Sequence, residues 1–169
     1  RLGRLDLTRA EVLTALRGAD IFHFAGHSVV DLENPARSRL LMSVDPTQAL
    51  FSSELAALSR APRLVILASC ESAAGRPSHT GGVASLAAAF LARGADAVVA
   101  NQWRVGDVAS QRLSSLLHTG VQRGLSPREA LRAAQLAMLR DASPAMSAPV
   151  AWAGAVVFGG QRPVVPALH

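Results

Sequence analysis

Residues 64–75, LVILASCESAAG, decide how the rest of the chain is read. The first five residues are all apolar. A run that short without polar alternation reads as a strand buried on both faces, as in a parallel sheet flanked by helices. It passes into Ser69, Cys70 and Glu71 and then into a loop of small residues. Cys70 is the only cysteine in the chain, and it stands just past the carboxyl end of a strand, where open α/β sheets hold their ligands. Upstream, residues 20–24 read as a second strand, which breaks at Ala25-Gly26-His27. A lone cysteine and a histidine, each ending its own strand, form the pattern of a Cys–His nucleophilic site, in which the imidazole supplies the thiolate. The competing reading of Cys70 is a buried small hydrophobe. Its position between Ser69 and a small-residue loop favours the nucleophile. His23 lies on the same side of its strand as His27 and reads as a packed histidine, hydrogen-bonded in or near the core.

Outward from these strands, Thr8-Arg9-Ala10-Glu11 is a capping box that opens a helix to Arg17, stopped by Gly18. Residues 26–38 read as a polar loop, 39–43 as a short strand, and Ser52 or Ser53 caps a helix ending near Leu58. Residues 81–93 form an alanine-rich helix, apolar nearly all round and therefore packed on the sheet. The strand at 96–101 is placed beside the cysteine strand, because one right-handed crossover helix joins them. Residues 102–106 turn into a helix from Asp107 to about Arg123. Ser126-Pro127-Arg128-Glu129 supplies an N-cap, an N1 proline and an N3 glutamate to a helix reaching about Asp141. Residues 151–158 are the last strand, ended by Gly159-Gly160, and 161–169 a disordered tail. Alternating strands and helices define an α/β class with a mostly parallel sheet. The chain opens on a helix with no strand before it, so the expectation is one domain over residues 1–160 that lacks its first strands.

Composition narrows the function classes. At 169 residues and 50% hydrophobic content the chain can bury a sizeable core. No apolar run approaches a membrane span and no leader is expected, so no membrane partner is assigned. One cysteine excludes an internal disulfide and fits a reducing cytoplasm. The net charge of +5 invites a nucleic-acid reading. All 17 basic residues are arginines scattered singly, however, and aromatics are 4%, so no nucleic-acid partner is expected. There is no CxxC, HExxH, phosphate loop or GxSxG elbow, so neither a metal nor a cofactor is expected.

HFAGHS at 23–28, ILASCES at 66–72, NQWRVGD at 101–107, SPREALRAAQ at 126–135 and WAGAVVFG at 152–159 occur in this order. Together, across roughly residues 5–160, they resemble the CHAT domain, the caspase- and separase-like family of clan CD cysteine peptidases usually found behind TPR repeats. The resemblance implies a three-layer caspase-like sandwich with helices on both faces of the sheet. It implies His27 as general base and Cys70 as nucleophile. The oxyanion hole would come from the backbone N–H groups of Cys70 and Ser28, the latter standing where the family usually has glycine. By similarity to the separase segment whose aspartate lines the S1 pocket, Asp107 would read a basic P1 side chain. Trp103 would offer a flat wall to its aliphatic stem. The other reading of Asp107 is the N-cap of its helix. The expected activity is a cysteine endopeptidase acting through an acyl-enzyme on a protein or peptide substrate, in a bacterial cytoplasm, under control of a TPR or other regulatory region outside this chain. The alternative is a catalytically inactive caspase-like scaffold or interaction module.

Overall fold

The computed structural model describes residues 7–31, 33–69, 76–77, 83–84 and 86–164. The first helix, α1 (Arg9–Gly18), starts where local chemistry demands. The Thr8 hydroxyl accepts from the Glu11 N–H, and the Glu11 carboxylate accepts from the Thr8 N–H. β1 (Ile21–Ala25) follows. β2 (His27–Val29), β3 (Arg39–Leu41) and β4 (Leu50–Phe51) then form a small antiparallel sheet, and α2 (Ser52–Leu55) closes this part. β5 (Leu64–Ala68) leads to the paired strands β6 (Arg76–Pro77) and β7 (Val83–Ala84), and these to α3 (Leu86–Ala92). The remainder is β8 (Ala97–Asn101), α4 (Asp107–Gln122), α5 (Pro127–Leu139), α6 (Pro144–Ser147) and β9 (Ala155–Gly159).

The main sheet has the order β1-β5-β8-β9, with β1, β5 and β8 parallel and β9 antiparallel. Leu64, Val65, Ile66 and Leu67 of β5 are each at most 2% exposed, which is why that strand shows no polar alternation. Val65, Leu67, Val98 and Ala100 pack with Val12 and Leu16 of α1 and Phe90 of α3. Leu64, Ile66, Ala97 and Val99 face the other way, against Leu113 and Leu117 of α4 and Leu131 and Met138 of α5. These two clusters make the expected three-layer α/β sandwich. Each fully buried leucine or phenylalanine contributes on the order of 1.5–3 kcal/mol to holding it.

Several local expectations are corrected. The stretch 26–38 is not all loop, because His27, Ser28 and Val29 pair with Leu41, Leu40 and Arg39. Three residues show no period of their own, and their strand exists only through that partner. The helix expected over 81–93 begins at Leu86, and Val83–Ala84 pair instead with Arg76–Pro77. Asp107 is not the N-cap of α4. Gly106 occupies that position in extended conformation with no side-chain cap, and Asp107 is the first helical residue. The last strand begins at Ala155 rather than 151, because Pro149–Ala151 form a 3-10 turn. It ends at Gly159, whose φ of 73° beside the Asp96 carbonyl excludes a side chain. The tail is not disordered throughout. Val164 is 2% exposed in the cluster under α4 and α5, and residues 165–169 lie outside the described part.

Candidate active site

The parallel register sets Ala25 at the end of β1 opposite Ala68 at the end of β5. His27 is two residues beyond the first strand end, and Ser69 one residue beyond the second. His27 opens β2, so its imidazole is carried by a short paired strand and is exposed. Ser69 is buried, and its carbonyl accepts from the Asn101 side-chain amide at 3.4 Å, which ties the end of β8 to the end of β5. A cleft of about 480 Å³ opens over these strand ends, lined among others by His23, His27, Ser69, Asn101, Asp107 and His118.

α4 forms the opposite wall. Its buried residues Ala109, Leu113, Leu117 and Val121 lie on one stripe. Asp107, Ser110, Gln111, Ser114, Ser115 and His118 face the cleft. Asp107 is thus brought within the same cleft as His27. Trp103 is not. Its indole N–H donates to the Val150 carbonyl at 3.1 Å, and its ring lies on Gly154, where a Cβ would sit 2.6 Å from it. It is not among the described residues that line the cleft.

His23 is hydrogen-bonded, as expected, and lines the cleft rather than the core. Its Nδ1 lies 2.9 Å from Nε2 of His118, with the rings tilted by 41°. One ring donates and the other accepts. Although His23 is exposed as a residue, packing strips water from its ring. That desolvation, with the neighbouring His118 charge second, pushes its pKa down to about 4. Desolvation lowers His118 as well. Both rings are therefore uncharged at neutral pH.

Cys70 lies outside the described residues, so its role rests on the sequence. Ser28 sits half-buried in β2 opposite Leu40. Among the described residues no group of three or more His, Cys, Asp or Glu gathers to hold a metal, and no helix is long and apolar enough to cross a membrane. Sequence reasoning missed His118 and Asn101. The stripe to which His118 belongs was visible as polar positions 107, 111, 114 and 118, offset from the apolar 109, 113, 117 and 121.

A parallel sheet between two helical layers, with a polar cleft at its strand ends, is here a caspase-like cysteine peptidase fold. Two solved structures share it. The complex of Porphyromonas gingivalis RgpB pro- and mature domains matches with a TM-score of 0.60 at 14% identity, covering 94% of this chain and 37% of that one. The Arg-specific cysteine proteinase gingipain R matches with a TM-score of 0.59 at 13% identity, covering 94% of this chain and 36% of that one. This chain thus spans little more than a third of the length of either. The family model of the CHAT domain matches residues 3–160, and the chain belongs to that family. No curated protein matches.

Proposed function

We propose that this CHAT domain is a cysteine endopeptidase with Cys70 as nucleophile and His27 as general base and acid. One observation carries the reading. The Ala25–Ala68 register sets two strand ends side by side, with His27 two residues past one and Cys70 two residues past the other in sequence. The Cys70 thiolate attacks the scissile carbonyl, and the backbone N–H groups of Ser28 and Cys70 hold the oxyanion. Collapse expels the amine, which takes its proton from His27 and leaves a thioester. His27 then deprotonates a water that hydrolyses the thioester and releases Cys70. Nothing in this sequence of steps calls for a metal or cofactor.

Asp107 supports a preference for Arg or Lys at P1, since it puts a carboxylate in the cleft that also holds His27. The neighbour described as an Arg-specific cysteine proteinase agrees with that preference. In this reading residues 1–160 are the peptidase domain and residues 161–169 its tail, Val164 of which packs on the core. A TPR or other regulatory region of the full-length protein, in a bacterial cytoplasm, would govern access to protein substrates. The test is cleavage of a peptide library by the full-length protein and its Cys70→Ala variant, with iodoacetamide labelling alongside. Cleavage after basic residues by the wild type alone, and a thiol titrating well under 8.5, is the expected result. An ordinary thiol and no Cys70-dependent cleavage would leave the scaffold reading instead.

A further inference from the structure

We propose that Nδ1 of His23 and Nε2 of His118 form a seat for a first-row divalent cation such as Zn²⁺, held between β1 and α4 on the wall of the cleft. The two nitrogens face each other at 2.9 Å. A tetrahedral zinc with Zn–N bonds of about 2.0–2.1 Å separates two nitrogen ligands by roughly 3.3–3.4 Å. Exchanging the shared hydrogen for a metal therefore needs a separation larger by only a few tenths of an ångström, within reach of side-chain rotation. The ring that donates the hydrogen bond moves its proton to its other nitrogen, so both facing nitrogens present lone pairs and no net proton is released.

The surroundings favour a cation. Among the described residues lining the cleft, Asp107 is the charged one and no arginine is present. Imidazole nitrogens suit zinc, copper and nickel. The seat is also preformed: His23 lies in the main sheet, and His118 in a 16-residue helix held down by Leu113, Leu117 and Val121. Two protein ligands leave the other coordination positions to water, so the ion would exchange readily. That suits a labile site better than a structural one. Metal binding does not depend on the peptidase reading.

The experiment is a calorimetric titration of the EDTA-stripped and dialysed full chain with ZnCl₂ at pH 7.5. The same titration is run on His23→Ala, His118→Gln and Cys70→Ala, with thermal melts to check folding. Glutamine at 118 keeps a side chain able to hydrogen-bond His23 but is a poor metal ligand. We expect one zinc per chain, at least tenfold weaker binding in each histidine variant, and no change in Cys70→Ala. A Co²⁺ derivative should show no thiolate charge-transfer band. No zinc bound by the wild type, unchanged affinity in folded His118→Gln, or any loss in Cys70→Ala would overturn the two-histidine seat. A chain without peptidase activity would defeat the proposed function while the titration still decides the site.

Discussion

The two faces of β1 differ in kind. On one, Phe22 and Phe24 join the apolar cluster, with the Phe22 ring 5.9 Å from Phe90 of α3. On the other, His23 and Ala25 are exposed and His23 meets His118. β5, its neighbour, is apolar on both faces. The two helical layers are therefore not equivalent. α1 and α3 cover their side of the sheet out to β1. α4 seals β5 and β8 with its leucine stripe and turns its polar stripe toward the cleft beside β1. The sheet is covered out to β1 on one side and left open beside β1 on the other.

The sharpest way to break this contrast is at the two histidines of the open face. His27→Ala should lower kcat/KM by about 10²-fold or more, the usual worth of a general base, while the melting temperature stays near wild type. His23→Ala should keep turnover. A folded His23→Ala protein without activity would move the base from one residue to the other.

On the sealed face the effect should be on stability. Phe90 is fully buried, and Phe90→Ala should cost about 3–5 kcal/mol in denaturant unfolding. A loss no larger than that of His118→Gln would show that the two faces contribute alike, contrary to the comparison.

A smaller change is expected in selectivity. Asp107→Asn should narrow the ratio of kcat/KM for Arg over Gln at P1 by about tenfold or more, since the carboxylate lines an open cleft and pairs only with a charged tip. Matched peptides measure it, and an unchanged ratio would leave Asp107 as the first residue of α4 and no more.

The smallest effect is the pH dependence of the open face. His23 has a folded pKa of about 4 against about 6.5 in an unfolded chain, and His118 is lowered in the same direction. Above pH 6.5 both states are neutral, and the contribution to stability is complete. As pH falls from 6.5 towards 4 the unfolded state binds more protons, so stability is lost. NMR titration should place the His23 midpoint near 4, and His23→Ala should flatten the stability slope in that window. A midpoint near 6.5 would mean that the ring is fully hydrated and the pair not formed.

Much of the fold was legible because its causes are local. The Thr8–Glu11 and Ser126–Glu129 capping boxes close over three residues, so the starts of α1 and α5 follow from the sequence alone. The run 64–68 needed only its own side chains to announce a doubly buried strand. What only the tertiary structure decided involves partners the chain brings from far away. β2 exists through β3. Trp103 is held by a carbonyl 47 residues on, and His23 meets a histidine 95 residues on. No periodicity records such a pairing. A side chain's partner across that separation is set by which helix face the packed core leaves over, and that is determined only when the apolar stripe of α4 settles on the sheet.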